Sequence, residues 1–419
     1  MMLPLSNIRV VSLTHYLQGP ACVQFLADLG AEVVKIERIG GAYERHWSGA
    51  QAFLNEDTSV FFLAAGRNQR SVELDFTKEE GREVLWKLID KADVLVENFR
   101  PGTLDKYGFS WEAARERNPG LVYCSLTGYG TDGPMRAKPG QDLLIQSLSG
   151  LATLSGRADG PPILFGTAIV DQHAATLGAM GVLAALLRRQ QTGVGSRVDS
   201  NLLNAALDLQ VEPLNYHLNG AKLWDRSASG ISSRFHQAPY GVFKTADGWL
   251  TMSLADGATL ARTFGDETFA SWSRNDQFEL REEVNERVAI HMATRTTAEW
   301  IETFSANGIW HAKVHDYDDV LADPQVIHNG AILSYEDANA GPVRLIGHPI
   351  RFDGETMPLR RHPPMPGEQT EEVLGELGYD AIRVAEMRTT AVIGPNRAEV
   401  GFKRAANAPA SAYSRKSSD

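Results

Sequence analysis

The chain has 419 residues, of which 43% are hydrophobic, and its 41 Lys and Arg against 52 Asp and Glu give a net charge of −11. This length allows two or three domains with substantial cores, and the acidic balance argues against nucleic-acid binding. The negative net charge does not exclude a local basic pocket that binds an anionic ligand. The two cysteines, Cys22 and Cys124, form no zinc framework and are typical of a reducing compartment.

The first residues, MMLPLSN, lack the charged and apolar regions of a signal peptide. The apolar run over residues 174–187 is shorter than a membrane span and rich in Ala and Gly. We therefore expect a cytoplasmic protein with no membrane partner.

Strand and helix patterns alternate through the first two hundred residues. Strands are predicted at residues 8–13, 31–36, 71–75, 94–96, 121–126 and 197–200, and helices at 21–29, 77–92 and 171–193. The first turn lacks G-x-G-x-x-G, which argues against a standard dinucleotide-binding turn. The alternation predicts a doubly wound α/β fold. Residues 40–68 are irregular, and we expect them to wrap the surface or a partner.

The pattern changes after residue 200. An Ala-Asp-Gly turn between two apolar runs after Pro239 predicts a hairpin, and two helical patterns follow it. The boundaries that we predict are a large α/β domain over 1–200, a linker over 201–228, a small α+β domain over 229–325, a linker and return to the large domain over 326–395, and a disordered tail over 396–419.

Asp171 stands where an apolar run ends and a long helical pattern begins, a pattern that Gly193 terminates. Asp is among the best helix N-caps, and on spacing alone this structural interpretation is favoured. The alternative is that Asp171 is a functional carboxylate.

Several catalytic signatures are absent from the sequence: the P-loop, the G-x-S-x-G elbow and H-E-x-x-H. His311 and His315 stand four residues apart, but no third ligand accompanies them, so we predict no metal site. His15 lies in the loop after the first strand, where a structural hydrogen bond is the favoured interpretation.

Taken together, several stretches resemble the class III CoA-transferase family, also called CaiB/BaiF. They are, in order, GP at 19–20, LGAEVVKIE at 29–37, NQRSVELD at 68–75, DVLVENFRPG at 93–102, the stretch around Asp171, APYG at 238–241 and GEQT at 367–370. The resemblance covers the chain to about residue 390 and implies a Rossmann-like large domain built from both chain ends, with a smaller inserted domain. It also implies a homodimer of interlocked rings, coenzyme A as co-substrate, and acyl-CoA and carboxylic acid substrates.

The resemblance implies that Asp171 is the nucleophile, which would form an acyl anhydride and then a CoA thioester on its side chain. Covalent catalysis of this kind divides a difficult exchange into easier steps. From the helix N-terminus we expect Asp171 to be kept ionised. The CoA contacts that the resemblance implies are Leu17, Gln18, Arg38, Leu74, Asp75, Thr77, Asn98, Phe99, Arg100, Lys106 and Lys138.

Two departures from the family pattern narrow the activity. The racemases of the family use a histidine in a Gly-His-Asp stretch, whereas this chain has Gln141, which cannot carry a proton at neutral pH. The stretch 229–237 lacks the glycine run of formyl-CoA transferase, and its Arg234 and His236 are candidates for binding an acceptor carboxylate. The alternatives to CoA transfer are an acyl-CoA racemase or epimerase, and a non-catalytic CoA-binding paralogue.

Overall fold

The structure, a computed structural model, describes residues 3–337 and 341–396. The predicted tail, beyond Asn396, lies outside the described residues. The strands in chain order are β1 (Arg9–Leu13), β2 (Glu32–Glu37), β3 (Phe53–Asn55), β4 (Thr58–Ser59), β5 (Gln69–Glu73), β6 (Val94–Glu97), β7 (Val122–Thr127), β8 (Ser196–Asn201), β9 (Tyr240–Lys244), β10 (Trp249–Ser253), β11 (Trp310–Lys313), β12 (Ile332–Asp337), β13 (Gly341–Ile346), β14 (Arg351–Phe352) and β15 (Glu355–Thr356).

The α-helices in chain order are α1 (Gln18–Asp28), α2 (Val60–Leu63), α3 (Glu79–Lys91), α4 (Trp111–Arg117), α5 (Asp142–Leu148), α6 (Ile169–Thr192), α7 (Leu202–Asp208), α8 (Val211–Leu218), α9 (Gly257–Phe264), α10 (Arg274–Glu279), α11 (Arg281–Met292), α12 (Thr297–Asn307), α13 (Tyr317–Ala322), α14 (Pro324–His328), α15 (Thr370–Glu376) and α16 (Ala381–Thr389).

The chain packs into two compact units. Among the described residues, the first consists of residues 3–142, 168–205, 327–337 and 341–396, and the second of Leu143–Thr167 and Ala206–Val326. Residues 143–167, expected in the large domain, thus pack with the second unit. The expected linker 201–228 is helical over α7 and α8, and only its end lacks regular structure. These features escaped prediction because the membership of a segment in one unit or the other depends on long-range packing, which a local sequence pattern does not encode.

A six-stranded parallel sheet organises the first unit, in the order β5-β2-β1-β6-β7-β8. Successive side chains of a strand point to opposite faces, so Val10 and Val11 enter two different cores. Val11 packs with side chains of α3, α15 and α16, and Val10 with side chains of α1 and α6. Helices therefore cover both faces, which confirms the predicted α/β fold with a parallel central sheet.

The strand order reverses between β1 and β6. β1, β2 and β5 follow one another to one side, while β6, β7 and β8 continue from β1 to the other. This is the order of dinucleotide-binding α/β folds, in which ligands bind beyond the carboxyl ends of the strands at the reversal. The loops after β1 and β6 are therefore the place to look for a site.

Residues 40–68 are held to their own chain by buried ion pairs. Arg45 is fully buried and donates to both oxygens of Glu37, at 2.6 Å each. Lys35 donates to Glu44 at 3.0 Å, and Arg67 forms a buried ion pair with Asp28 at 2.5 Å. Tyr43 and Trp47 of the same segment stay half exposed. The segment is therefore an integral part of the first unit.

Helix α6 has 24 residues and is longer than the apolar run 174–187 indicated. Within the described residues it is the one helix long and apolar enough to cross a membrane by length and composition, a property that core helices of soluble proteins share. Ala175, Ala179 and Val182 pack into the core beside α1. The absence of a membrane partner stays a prediction.

The second unit contains the predicted hairpin. β9 and β10 pair antiparallel, and β11 joins the far side of β10. Phe243, Leu250 and Met252 are buried against helix side chains that include Trp300 and Phe304. α12 begins with a capping box of Thr296 and Glu299 and ends at Gly308, as its sequence pattern indicates.

Candidate active site

Two loops meet at the reversal of strand order. The side chain of Asn98, directly after β6, accepts a hydrogen bond from the His15 backbone N–H and donates one to the His15 backbone carbonyl, each at 2.9 Å. Gly19 lies against this contact, because a Cβ there would stand 2.8 Å from Asn98 Cγ. Asn98 therefore joins the loop after β6 to the loop after β1.

Aromatic side chains surround these loops. The Phe99 and His15 rings lie 5.2 Å apart, and burial lowers the pKa of His15 below its ordinary value. The exposed rings of Tyr16 and Tyr43 stack at 6.1 Å, and the guanidinium of Arg38 lies 4.6 Å from the Tyr43 ring centroid. This edge of the sheet thus combines planar rings with positive charge.

The basic residues expected to contact CoA are all accessible. Arg38 follows β2, Arg100 follows β6, and Lys106 lies in the short 3₁₀ turn after it, each with an exposed side chain. Lys138 is also exposed and lies in the loop between β7 and α5. Arg38 contacts the Tyr43 ring. Among the described interactions, Lys138 contacts neither Tyr43 nor the other expected cations.

The remaining expected contacts differ in what their side chains can do. Gln18 is buried and donates to the Thr127 carbonyl at 3.4 Å, while Leu17 is partly buried and packs against the core beside α1. Leu74 is buried in the opposite core, so only its backbone is available to a ligand. Asp75 accepts from the Thr77 backbone N–H and hydroxyl at 3.1 and 2.6 Å, which forms a tight turn after β5.

Asp171 lies in the first turn of α6 but does not cap it. The helix has Ala168 at its N-cap position, without a side-chain cap bond from that residue. Instead, Oδ2 of Asp142 accepts the backbone N–H groups of Val170 at 2.7 Å and Asp171 at 2.9 Å. The capping interpretation of Asp171 is therefore wrong, since Asp142 satisfies these donors.

The electrostatics of Asp171 also differ from expectation. We expected the helix N-terminus to keep this carboxylate ionised. Burial, together with the nearby negative charge of Asp142, raises the pKa of Asp171 to about 7. The main physical reason is burial, which disfavours the charged form; the Asp142 carboxylate, which already binds the first-turn N–H groups, adds the repulsion of a second negative charge.

Two glycines bring Asp142 into position. The ends of the loop from 128 to 140 cross so closely that a Cβ on Gly128 would lie 2.6 Å from the Gly140 Cα, and one on Gly140 would lie 2.4 Å from the Gly128 Cα. Only glycine permits this approach of two backbones. Gln141 is exposed at the loop end, and Asp142 is buried.

The role of Asp142 escaped sequence reasoning, because Asp142 and Asp171 are separated by an excursion of the chain into the second unit. The sequence contains the stretch Gly140-Gln141-Asp142, in which Gln141 is the departure from the family pattern. The signal for the role of Asp142 was its position directly before a helical pattern.

In the second unit, Arg234 donates to the backbone carbonyls of Trp224 at 2.6 Å and Thr153 at 3.2 Å. His236 Nδ1 lies 3.0 Å from the Ser233 hydroxyl, and its ring stacks on Tyr240 at 4.1 Å. Both side chains hold their own loop in place. Their role toward an acceptor carboxylate stays a prediction.

The described residues contain no group of three or more His, Cys, Asp or Glu side chains arranged to hold a metal ion. His311 lies on β11 and not on a helix, with its ring bonded to the Ile309 carbonyl at 2.7 Å. The prediction that no metal takes part remains untested.

The whole chain resembles proteins of known family. The model of CoA-transferase family III matches residues 5–370. An acyl-CoA transferase of Fusarium pseudograminearum (strain CS3096) is 34% identical over 407 residues, which cover 93% of this chain and 88% of that protein. Succinyl-CoA:glutarate CoA-transferase of Mus musculus is 30% identical over 406 residues, 94% of this chain and 91% of that protein.

The fold agrees with these matches. The crystal structure of a CaiB/BaiF family protein from Brucella suis superposes with a TM-score of 0.76 at 28% identity, covering 90% of this chain and 99% of that chain. Sequence and fold therefore confirm the resemblance: the chain belongs to CoA-transferase family III.

Proposed function

We propose that this protein transfers CoA from an acyl-CoA to a carboxylic acid, with Asp171 as the covalent carrier. The observation that carries the proposal is the division of work between two carboxylates. Asp142 binds the first-turn N–H groups of α6, and this leaves the Asp171 side chain without a capping task. A partly buried carboxylate that is not needed to hold its helix is suited to act as a nucleophile.

The chemistry balances in four steps. The Asp171 carboxylate attacks the donor thioester carbonyl, which forms an acyl anhydride on Asp171 and releases the CoA thiolate. The thiolate attacks the aspartyl carbonyl, giving a CoA thioester on Asp171 and the free donor acid. The acceptor carboxylate displaces the thiolate and forms a second anhydride. Attack of the thiolate on the acceptor carbonyl releases the new acyl-CoA and restores Asp171.

The first unit provides groups that fit the CoA molecule. The accessible cations Arg38, Arg100 and Lys106 follow β2 and β6 and suit its phosphates. Exposed Tyr16 and Tyr43 provide stacking faces for a planar base. Both sets stand at the carboxyl edge of the parallel sheet, where this strand order places ligands.

Racemisation is a less suitable function for this chain. Asp142 is bonded to the helix N-terminus, and the neighbouring Gln141 has no side-chain proton to exchange at neutral pH. The discriminating experiment is incubation of an acyl-CoA in deuterium oxide without an acceptor acid. We expect no deuterium at the α-carbon, and rapid incorporation would favour the racemase.

The first substrates to test are succinyl-CoA as the donor and glutarate as the acceptor. A relative that is 30% identical to this chain is named for these two substrates. Formation of glutaryl-CoA by wild-type protein and its loss in Asp171→Ala is the expected result. No transfer with this pair and a wide panel of other acids would favour a non-catalytic CoA-binding protein.

We also infer a homodimer. The support is the apolar outer face of α6, where Met180 and Leu187 are each 60% exposed in the single chain. Light scattering after size-exclusion chromatography tests this, and a mass equal to one chain of 45.9 kDa would contradict it. The interlocked arrangement, the cytoplasmic location and the lack of a nucleic-acid partner stay predictions.

A further inference from the structure

A buried carboxyl group lies directly behind the loop that carries Asn98. Glu97 is the last residue of β6 and is 7% exposed. Its neighbours across the strands are Leu13 on β1 and Ser125 on β7. Glu97 has no part in the transfer chemistry proposed above. Burial of an acid is unfavourable unless hydrogen bonds compensate for the lost water, so its partners indicate what it does.

The Glu97 carboxyl holds two groups at once. The Ser125 hydroxyl donates to Oε1, and the backbone N–H of Phe99 donates to Oε2 at 2.9 Å. The second bond spans two residues and fixes the turn in which Asn98 stands. Asp side chains lock turns through a bond to the backbone N–H two residues on, and the longer Glu97 side chain makes the same contact here.

The turn then holds the neighbouring loop. Asn98 grips the backbone of His15 through two hydrogen bonds, and the Phe99 ring packs 5.2 Å from the His15 ring. Ser125, Glu97, Asn98 and His15 thus form a continuous line across the carboxyl ends of β7, β6 and β1. A ligand at the reversal of strand order would rest on loops that this line sets in place.

We propose that Glu97 is a positioning residue, which sets the affinity of the site for the CoA group by locking the Asn98 turn and the His15 loop without touching the ligand. This rests on the proposed function for the identity of the ligand. The locking of the two loops stands on the contacts alone.

The chemistry of the contacts predicts which replacement will work. Burial raises the pKa of Glu97 to about 7, so its neutral form is accessible. A neutral acid can keep both bonds, with one oxygen accepting from Phe99 and the O–H donating to Ser125. Glutamine offers the same pair of groups, a carbonyl and an N–H. Leucine has a similar volume and offers neither.

The test compares Glu97→Gln and Glu97→Leu for two properties: dissociation of free CoA measured by calorimetry, and hydrogen exchange of the His15 and Phe99 backbone amides without ligand. For Glu97→Leu we expect faster exchange at both amides and a CoA dissociation constant raised about tenfold, since a buried N–H loses its acceptor. For Glu97→Gln we expect both properties to return to within about threefold of wild type.

The control is Leu260→Ala, which creates a cavity in the core of the second unit, a core to which neither loop contributes a residue, and lowers stability there. Its CoA dissociation constant is expected to match wild type. Equal weakening in Leu260→Ala and Glu97→Leu, or unchanged exchange in Glu97→Leu, would overturn the inference. Faster exchange in Glu97→Leu, together with a wild-type protein that binds no CoA, would leave the positioning role standing and refute the proposed function.

Discussion

Oδ2 of Asp142 accepts the backbone N–H of Asp171 at 2.9 Å, so one carboxylate holds the helix from which the other projects. In the mechanism that we propose, the pair separates two tasks that a single aspartate performs poorly, because a side chain that caps its own helix is less free to attack. The arrangement also places two negative charges close together. Repulsion by the Asp142 carboxylate adds to the effect of burial in raising the pKa of Asp171.

The first prediction concerns pH. Because the pKa of Asp171 is raised to about 7 and only the ionised form attacks, the rate of covalent adduct formation should rise as pH increases through about 7 and then level. Asp142→Asn keeps an acceptor oxygen and removes the negative charge, so its profile should shift to lower pH. Rapid-quench rates over a range of pH test this. A flat profile, or an unshifted one in the variant, would contradict it.

The second prediction concerns stability. The folded pKa of Asp171 is about 7 against an ordinary value of 3.8, so between these values the folded state retains a proton that the unfolded state releases. Wild type therefore loses stability as pH rises through this window, and Asp171→Asn does not. Relative to wild type, the variant should gain up to about 4 kcal/mol in free energy of unfolding between about pH 4 and about pH 8.

Urea unfolding at both pH values measures this gain. Glu112→Gln, which removes an exposed acid from the first turn of α4, is the matched control and should show little pH-dependent gain. If Asp171→Asn gains no more than the control, Asp171 is not held in a setting that disfavours its charge.

The third prediction concerns close packing along α6. A Cβ on Gly178 would lie 2.8 Å from Leu126 Cδ2 and 3.2 Å from Cys22 Sγ. Gly178→Val should therefore destabilise the fold by about 1–3 kcal/mol through overpacking, in spite of glycine's poor helix propensity. Unfolding in urea checks this. Gly375→Val in α15, where a Cβ would meet no atom within 4 Å, should cause no such loss, and an equal effect at both positions would contradict the packing argument.

The fourth prediction concerns the cations at the sheet edge. Arg38→Gln removes a charge that lies over Tyr43, and we expect the KM for acyl-CoA to rise about tenfold with little change in kcat, as for loss of a charged hydrogen bond. Arg115→Gln on the exposed side of α4 is the control, with an expected KM close to wild type. An unchanged KM in Arg38→Gln would place the CoA phosphates elsewhere.

Much of the first unit follows from the sequence because its strands are short, β-branched and alternate with helices. Residues 9–13, 32–37 and 94–97 form strands within a residue or two of prediction. Residues 143–167 were expected in the large domain but pack with the second unit, since domain membership depends on long-range packing that a local pattern does not encode. The helices α7 and α8 were missed within the expected linker.

For the candidate site too, some residues could be predicted from the sequence and others could not. Asp171 and the loop residues Asn98 and Phe99 were predicted as site residues because strand ends and a recognisable motif mark them. The acids that support them, Asp142 and Glu97, were missed as supports because each acts through a contact with a distant or backbone group. The raised pKa of Asp171 depends on burial and on Asp142, and neither is visible in the sequence.

The most direct test of the central claim is the intact mass of the protein after incubation with succinyl-CoA, followed by peptide mapping of any adduct. The account predicts a mass increase on the peptide containing Asp171 in wild type, no increase in Asp171→Ala, and an unchanged increase in Glu112→Ala. An adduct of equal yield in the Asp171→Ala protein, or CoA transfer at the wild-type rate by that variant, would contradict the account.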